Sequence, residues 1–220
     1  MDKENKMKIL ELFAGSRSFS KVAKELGHEI YTTDYKAFDK IDQVCDIFDF
    51  DINKMLDDFG MPDAIWASPP CTTFSVASIG HHWKGGNRAY IPKTEKAKLG
   101  IKIIEETNHI IKMLNPKYFY IENPRGLLRK LPAITKESYL RRTIWYCQYG
   151  DTRAKPTDIW TNDFNWIPRN PCFNGNKNCH HQPAPRGSST GTQGLKNPYE
   201  RSKVPEKLCE EIISNLIEGG

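Results

Sequence analysis

Along the first 160 positions, short apolar runs alternate with stretches in which apolar residues recur at helical spacing. Residues 8–13, KILELF, predict a buried strand, and Ala14-Gly15-Ser16 the turn that ends it. Residues 19–26 carry a short helical pattern stopped by Gly27. Residues 29–33, EIYTT, predict a second strand ending at Asp34, and residues 63–67, DAIWA, a third stopped by Pro69 and Pro70. From 93 to 114, Ala97, Ile104, Ile111 and Leu114, flanked by Ile103 and Ile110, mark an amphipathic helix, and Pro116 follows it as a stop. Residues 118–121, YFYI, predict a strand before Glu122-Asn123-Pro124, and residues 143–149, rich in aromatic and β-branched side chains, a further one.

Strands alternating with helices predict a parallel, doubly wound, Rossmann-like α/β sheet. In such sheets ligands gather at the C-terminal ends of the strands. Gly15, Asp34, Cys71 and Glu122 all fall at such ends, so a single crevice would collect them.

Beyond Trp160 the pattern fades. Residues 165–200 are rich in Asn, Pro, Gly, Ser and Thr, and helical spacing returns only through Leu208, Ile212 and Leu216. The expected organisation is a main catalytic domain over 1–164, a small irregular subdomain over 165–200, and a C-terminal helix over 201–220 packing back on the main domain. Charge sharpens this division. Residues 153–207 hold nine Lys or Arg against four Asp or Glu, so the whole formal surplus of +5 lies there. Such a segment suits contact with phosphates, although an ordinary solvated surface would have the same composition. No stretch reaches the roughly 18 apolar residues of a membrane span, and the polar first six residues do not read as a signal peptide. The six scattered cysteines suit free thiols in a reducing cytoplasm.

The most specific feature is Ser68-Pro69-Pro70-Cys71. Two prolines fix the backbone and deliver the next side chain rigidly at a strand end. A cysteine there suits a nucleophile once its pKa is lowered, or else a buried thiol behind a Pro-Pro strand stop. Glu122-Asn123-Pro124, ending a neighbouring strand, favours the first reading: attack on C6 of a cytosine drives electrons toward N3, and a carboxyl group beside N3 can supply the proton.

These motifs, in this order, resemble the cytosine-C5 DNA methyltransferases, in a short form with a reduced target-recognition region. Leu12-Phe13-Ala14-Gly15 is similar to the family's cofactor-binding first block, Ser68-Pro69-Pro70-Cys71 to its nucleophile block and Ile121-Glu122-Asn123-Pro124 to its glutamate block. Tyr149-Gly150-Asp151-Thr152-Arg153-Ala154-Lys155 resembles a shortened block that supplies two basic residues near the base, and Arg201-Ser202-Lys203-Val204-Pro205 the last block, which returns to the cofactor. The resemblance implies transfer of a methyl group from S-adenosylmethionine to carbon 5 of cytosine in DNA, through a covalent Cys71 adduct at C6. Cys71, Glu122, Arg153 and Lys155 would be catalytic, with Arg153 holding the cytosine O2. Phe13, Ala14, Gly15, Ser16, Asp34, Asp46, Ile47, Pro69 and Val204 would bind the cofactor, Asp34 at the ribose hydroxyls and Asp46 at the adenine amino group. DNA would be the partner and the membrane would not. The implied setting is the cytoplasm of a bacterial or phage-infected cell, near the nucleoid.

Two departures stand out: Arg17 and Ser18 occupy positions where the family often has glycine, and the region after Trp160 is short. The same chemistry on RNA or a free cytosine nucleotide therefore stays open, as does a catalytically silent nucleic-acid-binding relative. Amino-methyltransferases fit less well, because they carry an acidic residue or Asn before the two prolines and an aromatic after them. Residues 72–92, with Gly80, Gly85, Gly86, His81, His82, Trp83, Lys84 and Arg88, suit a lid that closes on nucleic acid, or a surface loop. Cys172, Cys179, His180 and His181 form a cluster in which a small subdomain would bind zinc, with Cys147 helping if it lies near, or else remain unliganded.

Overall fold

β1 (Lys8–Leu12) lies inside a seven-stranded sheet. Its side chains alternate as a strand's two-residue period requires, Leu10 and Leu12 entering one core layer and Ile9 the opposite one. α1 (Ser18–Glu25), β2 (Glu29–Asp34), β3 (Gln43–Val44), α2 (Ile52–Phe59) and β4 (Ala64–Ala67) follow. Next come α3 (Ile79–His82), a small hairpin of β5 (Trp83–Lys84) and β6 (Ile91–Pro92), α4 (Glu95–Leu114) and β7 (Tyr118–Pro124). α5 (Pro132–Thr135), β8 (Leu140–Trp145), β9 (Pro156–Thr161), α6 (Pro198–Ser202) and α7 (Glu206–Glu218) complete the order in this computed structural model, which describes residues 6–85, 90–184, 195 and 197–218.

The strand order is β3-β2-β1-β4-β7-β9-β8. The first five run parallel, whereas β9 runs antiparallel to both β7 and β8. Chain order reverses direction at β1, between β2 and β4, which opens a crevice at the strand ends. Met55, Ile104, Ile111 and Ile134, from α2, α4 and α5, cover one face. Phe19 and Val22 of α1 and Leu208 and Ile212 of α7 cover the other, where the Phe19 and Trp66 rings stack 4.5 Å apart. Among the described residues no helix is long and apolar enough to cross a membrane.

The expected α/β architecture is present, with differences in detail. The strand expected over 143–149 begins at Leu140 and ends at Trp145, and Tyr146–Tyr149 coil into a 3₁₀ turn. β9, absent from the expectation, hides its strand character behind polar residues: Thr157, Asp158 and Thr161 are buried. Arg129 and Thr143 hold the Asp158 carboxylate at 2.5–2.8 Å, which compensates its burial. Among the described residues no regular element lies between β9 and α6, as the composition suggested. Trp166 nevertheless belongs to the main core, edge-on to Tyr120 and donating to Glu211 at 3.3 Å.

Candidate active site

β4 and β7 pair in parallel with Ala67 opposite Ile121, so the Pro-Pro-Cys and Glu-Asn-Pro motifs leave the sheet side by side. The buried Asn123 amide donates to the Pro69 carbonyl at 2.9 Å and ties them together. Beyond Cys71 the chain turns sharply, Phe74 and Ser75 both donating to the Cys71 carbonyl. Gly126 clamps this turn from the other motif, since a Cβ there would collide with the Phe74 carbonyl oxygen.

Glu122 is buried, and its Oε1 accepts from the Tyr146 hydroxyl at 2.8 Å. Lys155 Nζ lies 3.7 Å from the same oxygen and 4.4 Å from the centre of the Tyr146 ring. Burial pushes the Cys71 thiol above its ordinary pKa, Lys155 draws it back down and Glu122 raises it again. Carboxylate and ammonium thus stand together and both bear on the charge of the thiol. Burial and the Glu122 charge also raise the Tyr146 hydroxyl well above its usual value, so it remains a proton donor.

Arg153, expected at the cytosine O2, has its donors engaged by the protein. Its guanidinium pairs with Asp151 through Nε and Nη2, and its remaining donors reach the carbonyls of Glu200, Arg201 and Lys203 at 3.2–3.5 Å. These bonds fasten the C-terminal segment to the turn. Lys155 is the cation beside Glu122. Tyr146 is a site residue that the sequence reading missed, and only its position just before the basic block hinted at it.

At the other end of the crevice, the loop after β1 is held by Asp34, whose carboxylate accepts from Gly15 N and Lys36 N, both at 2.9 Å. Phe13, Gly15 and Arg17 all adopt left-handed backbone, φ 59°, 47° and 57°. Arg17 therefore keeps the conformation that a glycine would take, at a cost of about 1 kcal/mol or more. Ser16 Oγ and Ser18 Oγ lie 2.8 Å apart, and Val204 N donates to Ser18 Oγ at 3.2 Å, so the last segment does return to this loop. Ala14 N bonds the Thr33 carbonyl, Ile47 is buried in the core, and the exposed Asp46 caps the turn after it by accepting from Phe48 N.

A model of the C-5 cytosine-specific DNA methylase family matches residues 7–140. A protein of frog virus 3 (isolate Goorha), named "Probable DNA (cytosine-5)-methyltransferase", is 30% identical over 94% of this chain and 99% of its own length. The chain belongs to the C-5 cytosine-specific DNA methylase family. Solved structures agree in fold. An Escherichia coli prophage protein described as a DNA modification methyltransferase matches 70% of the chain at 13% identity, TM-score 0.51. The Entamoeba histolytica methyltransferase EhMeth matches 74% at 12% identity, TM-score 0.52. This cytosine methylase covers 46% and 56% of those two chains.

The remaining expectations fall into place around this methylase's crevice. Much of the expected lid is packed down: the buried Trp83 donates to the Thr73 carbonyl at 2.8 Å, and His82 meets Thr94 Oγ1 at 2.7 Å. Gly86 and Arg88 lie outside the described residues. Beside this packed segment runs a cleft of about 380 Å³, lined in part by Lys84, Tyr90, Arg125 and Lys130. Cys172, Cys179 and His181 come together as expected and Cys147 joins them, but His180 points away to the Asp151 carbonyl at 3.0 Å.

Proposed function

We propose that this methylase transfers a methyl group to carbon 5 of cytosine in DNA, with Cys71 as covalent nucleophile. The observation that carries the reading is the pairing of the Cys71 and Glu122 motifs at neighbouring strand ends, tied by the Asn123–Pro69 bond, with Tyr146 and Lys155 both at Glu122 Oε1.

The residues suit S-adenosylmethionine. Asp34 has acceptor capacity beyond its two backbone bonds, enough for ribose hydroxyls. Arg17 Nε is buried without a protein partner in the same loop, a donor fitted to a ligand carboxylate. Tyr35, next to Asp34 and 63% exposed, offers an aromatic ring for a purine, with Lys36 Nζ 5.2 Å from its centre. Asp46, Phe13, Ala14, Ser16, Ile47, Pro69 and Val204 complete the proposed lining. Bound there, S-adenosylmethionine supplies an electrophilic methyl group on a sulfonium.

The target cytosine swings out of its stack into the pocket. The Cys71 thiolate adds to C6, and the electron pair of the C5–C6 double bond moves through the ring toward N3. The Glu122 carboxyl hydrogen-bonds N3 and provides its proton. Tyr146 and Lys155 both engage Oε1, leaving Oε2 to meet the base. Lys155 stabilises negative charge as it develops, and Arg153 acts at one remove by holding the turn. Once carbon 5 is methylated, a water takes its proton, the electron pair re-forms the C5–C6 double bond and expels the Cys71 thiolate, and N3 returns its proton to Glu122. The irregular stretch after β9 leaves little room to read a long target, so recognition is short or relaxed. The setting we propose is an infected cell, phage or viral, in which the enzyme meets DNA directly.

DNA carrying 5-fluorocytosine tests this, because fluorine cannot leave as a proton. With S-adenosylmethionine present, wild-type protein should form a denaturation-resistant adduct, and Cys71→Ser should form none. An adduct that survives Cys71→Ala would overturn the assignment. Turnover of dCMP without any turnover of DNA would replace the substrate while leaving the nucleophile.

A further inference from the structure

Behind the active site, Cys147, Cys172, Cys179 and His181 bring three sulfurs and one imidazole nitrogen within 4.8 Å of one another. We propose that these four residues form a structural Cys₃His zinc site that fastens the irregular segment to the turn bearing Tyr146 and Lys155. The spacing is that of a tetrahedral centre. Zinc–sulfur bonds of about 2.3 Å and zinc–nitrogen bonds of about 2.0–2.1 Å put ligand atoms roughly 3.5–3.8 Å apart. Cys172 Sγ and His181 Nδ1 already stand 3.9 Å apart.

Two further observations point the same way. Side-chain amides surround the sulfurs: Gln148 Nε2 reaches Cys147 Sγ at 3.9 Å and Cys179 Sγ at 3.8 Å, and Asn176 Nδ2 reaches Cys172 Sγ at 3.4 Å. Neutral thiols have little use for such donors, whereas metal-bound thiolates are held and tuned by them. Beyond Trp166, the described part of the segment has little apolar anchorage. Its buried apolar cluster consists of Cys147, Ala154 and Cys172, while Phe173 is 64% exposed. A segment with so small a core needs a staple.

The staple sits at a telling place. Cys147 directly follows Tyr146, the Glu122 partner, and around it Gln182 N donates to the Thr152 carbonyl and His180 Nε2 meets that of Asp151. Loading would release the thiol protons to solvent, with no change of oxidation state. The ring proton of His181 would reside on Nε2, and Gly175 N, now 3.3 Å from that atom, would turn aside.

Metal analysis of the full chain, purified under reducing conditions, tests the site. About one zinc per chain is expected. Cys172→Ser and Cys179→Ser should each lose it, His180→Ala should keep it, and stripping with a chelator should lower the melting temperature. Because the serine variants can fail to fold, cobalt loading of the wild-type protein supplies a second measurement: tetrahedral thiolate ligation gives intense visible bands and sulfur-to-cobalt charge transfer. Reduced wild-type protein that takes up neither metal would overturn the proposal, as would a disulfide among these cysteines or zinc retained in His181→Ala.

Discussion

Burial raises the Cys71 thiol and Lys155 lowers it, so the nucleophile's readiness hangs on one ammonium group held over the Tyr146 ring. Removing that charge should leave burial and Glu122 unopposed. In Lys155→Gln, the pH profile of Cys71 alkylation by iodoacetamide should move to higher pH, and methyl transfer at neutral pH should fall by at least tenfold. Lys155→Arg should restore much of the original profile. Tyr146→Phe should leave alkylation nearly in place but slow turnover, by a factor consistent with about 1.5–3 kcal/mol for one lost hydrogen bond to a charged group. An unchanged alkylation profile in Lys155→Gln would remove the ammonium from the mechanism. At this scale the placement of Cys71 and Glu122 at neighbouring strand ends was legible, because prolines and strand ends fix where they point. That Lys155 lies beside Glu122 while Arg153 pairs with Asp151 was not. Two cations on an irregular turn have no period to sort them, and the deciding partners, Asp151 and the carbonyls of residues 200, 201 and 203, are set by the tertiary fold.

Strands and helices were legible to the extent that burial followed a period. α2 has Ile52, Met55, Leu56 and Phe59 at helical spacing and was still passed over, although Asp51 caps it by accepting from Lys54 N at 2.9 Å. β9 was invisible for a physical reason, since its buried Asp158 is compensated only by Arg129 and Thr143, distant in sequence. β1 contains the converse case, a charged residue at a core position. Glu11 is 3% exposed, its Oε2 accepts from Ser20 N at 3.0 Å, and burial pushes its carboxyl from 4.5 up to about 7. Below pH 4.5 the carboxyl is protonated in both folded and unfolded chains, and its contribution to stability is fully present. Between 4.5 and 7 the unfolded chain ionises first, so stability falls as pH rises, by about 3 kcal/mol in all. Glu11→Gln keeps the acceptor for Ser20 N and removes the titration. Urea unfolding should show that variant gaining on the wild type from pH 4.5 to pH 8. Parallel stability curves for the two proteins would mean that Glu11 finds a counter-charge or solvent.

For the whole molecule, charge placement decides how DNA lies on the enzyme. Composition pointed to residues 153–207, but Arg153 and Lys155 are buried, Arg169 is paired with Glu211 at 2.7 Å and Lys203 with Glu200 at 2.9 Å. Arg186 and Lys196 lie outside the described residues. The exposed cations beside the site are instead Lys84, Arg125 and Lys130, on a cleft whose wall is joined to the nucleophile turn: Leu127 N donates to the Phe74 carbonyl, and Phe74 N to that of Cys71. Residues 72–92 carry Lys84 and Arg88 with no acidic residue, as do Arg125, Arg129 and Lys130 over 125–130, and the fold sets Lys84, Arg125 and Lys130 on one cleft. Each phosphate neutralised releases condensed counterions, so affinity for duplex DNA should fall with salt, the logarithmic slope being about 0.9 per contact. Replacing Lys84, Arg125 and Lys130 together with alanine should flatten that slope by as much as about 2.7. S-adenosylhomocysteine affinity should be unaffected, because the proposed cofactor loop after β1 contributes nothing to the lining of this cleft. If the slope instead survives the triple substitution and falls when Lys177 and Lys207 are neutralised, the backbone runs over the small segment, and the cleft serves some other purpose.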